Sequence, residues 1–263
     1  MLKSSVAGIQ ISCCVYNASG PRTGSVESLS KLGPTKCGII LSKSATLFKQ
    51  DGNTLPRFVN KIDMGPESCQ GSMNSEGLPN AGIDYYVCNE TVSALLPYGK
   101  PYFVSISGLS LEDNLTMLQK AFDSEGVSAI ELNLACPNVP GKPIIAYDFD
   151  QMDAVLNAVF SRFGELSKKK PVGIKLAPYF DGPHFEKAVT IISNYPVRFV
   201  VCINTIGNAL MVDTESECAL ISPKNGFGGL GGGYVKPTAL ANGTHISICT
   251  ILYSVYIFKK SPH

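Results

Sequence analysis

Apolar segments that each run into a polar or charged residue recur along the chain, and stretches with helical spacing separate them. Cys37–Thr46 reads as a continuously apolar strand with Lys43 near its end, and Pro101–Gly108 reads as the next. Ala129, Ile130, Leu132 and Leu134 supply a further strand, Val172–Pro178 carries Lys175, and Phe199–Thr205 closes on Asn204 and Thr205. Near-continuous apolar runs mark strands buried on both faces, the condition of a parallel sheet covered by its crossover helices. Between them, Leu111, Leu115, Leu118 and Phe122 share one helical face. Phe149, Met152, Leu156, Val159 and Phe163 share a second, and Phe185, Val189 and Ile192 a third. Ser110 with Asp113 is an N-cap signal, and Gly126 and Gly164 are the expected helix ends.

Alternating strands and helices leave an α/β barrel or a doubly wound sheet. No strand–GxGxxG–helix unit opens the chain, which argues against a dinucleotide-binding sheet. Lys43, Asn133 with Cys136, Lys175 and Asn204 fall at the carboxyl ends of four different strands. Such ends converge on one rim in a TIM (β/α)8-type barrel, and that is the expected fold.

Glu131–Pro143 is the stretch richest in chemistry. It starts as a buried strand, and Cys136-Pro137 stops the ladder because proline has no N–H to donate. Pro140, Gly141 and Pro143 confine the loop that follows. A thiol therefore sits between Asn133 and Asn138 where strand opens into loop. Each asparagine offers a donor and an acceptor, which suits a flat substrate with ring amides and carbonyls. The plainer alternative is a small buried hydrophobe, the ordinary role of a lone cysteine at a strand end. Lys43 reads either as facing the site or as snorkelling outward. Lys175 reads as an anion contact or half of a buried ion pair. Val15–Pro21 is a short strand ending in small residues, a turn or a close-approach loop. Gly71–Gly82 is too rich in Gly and Asn for regular structure, and Lys224–Tyr234 is a glycine loop, flexible or anion-binding. His184 reads as structural.

The run Glu131–Pro143 resembles the corresponding loop of class 1A dihydroorotate dehydrogenases, the soluble FMN enzymes of pyrimidine biosynthesis, in which the matching cysteine is the catalytic base. Class 2 enzymes carry serine there. The resemblance implies that Cys136 removes the C5 proton of dihydroorotate while C6 delivers hydride to FMN, with fumarate reoxidising the flavin. It places Ala18, Ser19, Gly20, Lys43, Ser44, Asn133, Lys175, Ile203, Gly231 and Gly232 at FMN. It places Lys43, Asn74, Gly77, Leu78, Asn133, Asn138, Asn204 and Thr205 at the substrate. Glu76 stands where the family usually has methionine, and Asn204-Thr205 where it commonly has Asn-Ser. A cytoplasmic homodimer acting on small molecules is implied, with neither nucleic acid nor membrane as partner.

The resemblance runs from Asn17 to Asn242. Residues 243–263 read as an unrelated apolar tail, so about six of the eight strand–helix units of a barrel are expected. On that reading the chain is truncated, and the alternative to the enzyme is a non-catalytic product unable to retain FMN. Ile246–Phe258 is a candidate edge strand, too short and too interrupted for a membrane helix. The net charge of +1 provides no basic field for nucleic acid. The 9 cysteines lack CxxC spacing, so neither a zinc site nor a disulfide framework is indicated, and a reducing compartment fits. The amino-terminal residues carry no signal or transit pattern.

Overall fold

The computed structural model describes residues 3–63, 70–136, 144–249 and 253–256. Its frame is a six-stranded parallel sheet in the order Tyr253–Tyr256, Phe199–Cys202, Val172–Lys175, Ala129–Asn133, Tyr102–Ile106, Ile40–Leu41. Side chains alternate across it with the period of 2 that strands impose. Val104, Ile106, Ile130, Leu132, Ile174 and Val200 point to one face. There they join Leu115 and Leu118 of helix Leu111–Asp123, Leu156 and Val159 of Phe149–Lys169, and Phe185 and Ile192 of Gly182–Ser193. Burying one such side chain stabilises the fold by roughly 1.5–3 kcal/mol, so this face carries most of the apolar driving force.

The opposite face is smaller and changes character along the strands. At their amino ends Ile39, Leu41, Phe103, Ala129, Phe199 and Val201 form a second core. A hairpin of Ser4–Val6 and Ile9–Ile11 is packed into it through Val6, Ala7 and Ile11. Its turn, Ala7-Gly8, has positive φ at both central positions (53° and 88°), as a two-residue hairpin of primed type requires. Further along the same face the side chains become polar: Ser105, Glu131, Asn133 and Lys175 are all buried.

The helices follow their caps with two corrections. Ser110 accepts from the Asp113 N–H, and Asp148 and Asp181 cap the next two helices in the same way. Helix Leu111–Asp123 ends at Ser124, before Gly126. Lys170 Nζ donates there to the carbonyls of Ala121, Phe122 and Ser124. Gly164 does not end helix Phe149–Lys169. A mid-helix glycine costs only about 1 kcal/mol, so it need not end a helix of this length.

Above the carboxyl ends of the parallel strands lies a four-stranded antiparallel sheet, Ile206–Leu210, Phe227–Gly232, Gln70–Asn74, Phe58–Asp63. Two stretches expected as irregular are therefore strands: the start of Gly71–Gly82 and the glycine run. Glycine suits the run because neighbouring chains press on it. A Cβ on Gly229 would collide with Thr205, and Gly232 holds φ at +92°. Helix Lys236–Cys249 runs across residue 242, where Asn242 bonds both N–H and C=O of Tyr179. Of the candidate edge strand Ile246–Phe258, Tyr253–Tyr256 pairs parallel to Phe199–Cys202, whereas Ile246 belongs to the helix. No helix among the described residues is long and apolar enough to cross a membrane.

Candidate active site

Register brings the polar residues of different strands to one level. Asn133 and Lys175 are direct partners on neighbouring strands, as are Ser105 and Glu131. Beyond the last regular pair the ladder continues for one bond, Leu134 N–H to Lys175 C=O at 3.0 Å. The chain then turns through Ala135 to Cys136. Two side chains hold this turn: Asn133 Oδ1 accepts from the Ala135 N–H at 3.1 Å, and Asn204 Nδ2 donates to the Ala135 carbonyl at 3.1 Å. Asn204 Oδ1 also accepts from the Thr205 N–H, so its amide orientation is set.

Cys136 is a free, half-buried thiol. Burial pushes its pKa above the ordinary thiol value. The Lys43 charge opposes that shift, followed by a hydrogen bond from Ser107 and the charges of Lys175 and Lys224. Three cationic side chains thus favour the thiolate without outweighing desolvation. Lys43 and Lys175 are themselves buried, at 8% and 5% exposure, and Glu131 is the one buried acidic residue among the described residues.

Lys175 Nζ donates to Ser19 Oγ (3.2 Å), which places the Ala18–Gly20 loop over this level. Ser44 lies 3.2 Å from Ser19 Oγ and accepts from Asn133 Nδ2 at 3.1 Å. Lys43, Ser44, Ser19, Asn133, Lys175, Asn204 and Cys136 are therefore one connected group. Ile203 joins Phe199–Cys202 to Asn204.

The antiparallel sheet brings the remaining residues. Asn74, at the end of Gln70–Asn74, pairs with Gly229, and Gly231 and Gly232 follow on the same strand opposite Ser72 and Gly71. Thr205 packs where the Gly229 side chain would be. Gly77 and Leu78 form the following turn with φ of +67° and +57°, a costly conformation for leucine. Glu76 does not stand alone there: Arg57 Nε lies 3.4 Å from its carboxylate, and Arg57 also donates to the carbonyls of Asp51 and Asn53. A groove of about 750 Å³ beside this turn is lined by Lys49, Arg57, Glu76 and Pro79, not by Cys136. Asn138, expected to bind substrate, lies outside the described residues.

Ser105, Ser107, Glu131 and Lys224 were not singled out by their sequence context. For the serines a signal existed: hydroxyls at alternate positions of an otherwise apolar strand share one face. Glu131 has the same alternation with Asn133. Lys224 lies in the left-handed region (φ 51°) within the turn Pro223–Gly226, whose composition signals a turn but not its approach to Cys136.

A family model described as Dihydroorotate dehydrogenase matches residues 1–250. Dihydroorotate dehydrogenase (fumarate) of Saccharomyces paradoxus is 47% identical over 229 residues, covering 86% of this chain and 68% of that protein. The protein of the same name from Saccharomyces cerevisiae is 46% identical with the same coverage. Dihydroorotate dehydrogenase A (fumarate) of Lactococcus lactis is 44% identical over 246 residues, covering 92% of this chain and 74% of that protein.

Proposed function

Since this chain belongs to the dihydroorotate dehydrogenase family, we propose that it oxidises (S)-dihydroorotate to orotate in pyrimidine biosynthesis, with FMN as hydride acceptor and fumarate as reoxidant. One observation carries the reading: Cys136 and the amides and ammonium groups of Lys43, Asn133, Lys175 and Asn204 meet at the carboxyl ends of parallel strands. The sheet is then part of a TIM (β/α)8-type barrel: five of its strands precede residue 243, one fewer than expected, and the sixth, Tyr253–Tyr256, comes from the segment expected as a tail.

The residues fit a flavin. Lys43, Lys175 and Asn133 present donors, and the Ala18–Gly20 loop presents small residues. Donors and positive charge suit the N1–C2 carbonyl edge of an isoalloxazine, which gains negative charge on reduction. Gly231 and Gly232 offer backbone without side chains. FMN would supply hydride acceptance at this place. Cys136 Sγ, as thiolate, takes the C5 proton, and the Lys43 charge favours that thiolate before transfer. Asn74, Asn133, Asn138 and Asn204 orient the ring amides and carboxylate, with Thr205 and the Gly77–Leu78 backbone beside them. A homodimer in the cytoplasm goes with this reading.

Purified chain should be yellow, and anaerobic dihydroorotate should bleach its flavin absorbance. A folded chain that takes up no FMN would instead support the non-catalytic alternative.

A further inference from the structure

We propose that Glu131 is a positioning residue, whose buried carboxylate sets the direction of every hydrogen bond in a chain ending at Lys175 on one side and Asn133 on the other. Glu131 Oε1 accepts from Ser105 Oγ at 2.7 Å and from Ser19 Oγ at 3.1 Å. A hydroxyl has one hydrogen, and a carboxylate has none to give. Both serines therefore spend their hydrogens on Glu131 and can only accept from elsewhere. Ser19 accepts from Lys175 Nζ at 3.2 Å. Ser44 Oγ lies 2.9 Å from Ser105 Oγ and 3.2 Å from Ser19 Oγ; its one hydrogen goes to either of these two acceptors, so Ser44 must accept in turn, and Asn133 Nδ2 donates to it at 3.1 Å. With its NH2 committed to Ser44, Asn133 turns Oδ1 to the Ala135 N–H, beside Cys136. One acid thus reinforces, through the hydroxyls of Ser19, Ser105 and Ser44, the same Asn133 orientation that the Ala135 N–H requires.

Geometry makes the assignment specific to Glu131. It is 1% exposed and lies on the same strand as Asn133, below the residues expected to touch flavin or substrate. No other buried acid among the described residues could replace it. A glutamine has nearly the same shape but can offer oxygen or NH2 to the serines. Both senses of the chain then become accessible, and the acceptor loses the strength its charge provides.

The test compares Glu131→Gln and the double variant Ser19→Ala/Ser105→Ala with the parent by side-chain amide hydrogen exchange, in purified chain with or without flavin. The Asn133 amide should exchange about tenfold faster or more in both variants, the equivalent of one lost hydrogen bond. Asn80, whose buried NH2 donates to Thr46 and Leu78, is the internal control and should not change. The double variant keeps the charge and cuts both routes from Glu131 to Ser44, through Ser105 and through Ser19, so it decides the matter should Glu131→Gln fail to fold. Unchanged Asn133 exchange in a folded variant overturns the proposal. In flavin-loaded protein, reduction by dihydroorotate should slow about tenfold with KM within about twofold. This last arm rests on the flavin reading; faster Asn133 exchange in a chain that binds no FMN would sink that reading and leave the role of Glu131 intact.

Discussion

Asn204 Nδ2 donates to the carbonyl of Ala135 across 3.1 Å, tying the tip of one parallel strand to the residue before Cys136 on another. The thiol is thus placed by a side chain 68 positions later in the sequence. Asn204→Ala would leave that carbonyl without its partner, at a cost of about 1–3 kcal/mol. Flavin reduction by dihydroorotate should slow by about tenfold or more, since small displacements of a base are costly. Stopped-flow absorbance checks the rate, and retained flavin content checks that the fold survives.

Replacing the thiol tests the base directly. Cys136→Ser should keep its FMN and reduce it slowly at neutral pH, because a hydroxyl in the same place is far less readily ionised. Equal reduction rates in parent and variant would remove Cys136 from the reaction.

The pH dependence follows from the charges around that thiol. Burial raises its pKa, and Lys43 is the leading opposing influence. The thiolate fraction, and with it flavin reduction, should therefore rise toward alkaline pH. Lys43→Ala removes a positive charge that favours the ionised form, so the rising limb should move to higher pH. A limb that moved lower, or stayed, would contradict this electrostatic account; the pH profile of single-turnover reduction is the measurement.

Arg57 and Glu76 offer a paired test. Their side chains are 22% and 11% exposed, so screening by solvent is limited. Arg57→Ala should leave an uncompensated carboxylate beside the turn expected to meet an anionic substrate, and KM for dihydroorotate should rise severalfold. Adding Glu76→Met should restore much of it, because the repelling charge is gone. Steady-state kinetics of the two variants decides.

Packing gives an expectation of a different kind. Gly229→Val would drive a branched side chain into Thr205, within the sheet that also carries Asn74. Overpacking of this kind costs about 1–3 kcal/mol. The urea midpoint should fall accordingly, with substrate affinity falling alongside it.

Much of the frame could be read from the chain itself. The apolar strands around Phe103, Ile130, Ile174 and Val200, and the helices Leu111–Asp123 and Gly182–Ser193, follow from periodicity, the first helix also from its Ser110 cap. The polar strand ends did too: Asn133, Lys175 and Asn204 stand out because nothing apolar explains them. What escaped was non-local. The run Phe227–Gly232 has no alternation of apolar and polar residues, and it becomes a strand only because Gln70–Asn74 and Ile206–Leu210 flank it. Glu131 is one residue of a motif in sequence, and its partners Ser19 and Ser105, with Ser44 beside Asn133, come from elsewhere in the chain. Arg57 is the counter-ion of Glu76 through a fold of the chain that spacing does not announce.

The hairpin Ser4–Ile11 stoppers the amino-end mouth of the sheet with Val6, Ala7 and Ile11. On the proposed function, substrate meets the polar level from the carboxyl-end side, where Cys136 lies. On the proposed reaction, reductant and oxidant then share one doorway and take turns, orotate leaving before fumarate arrives.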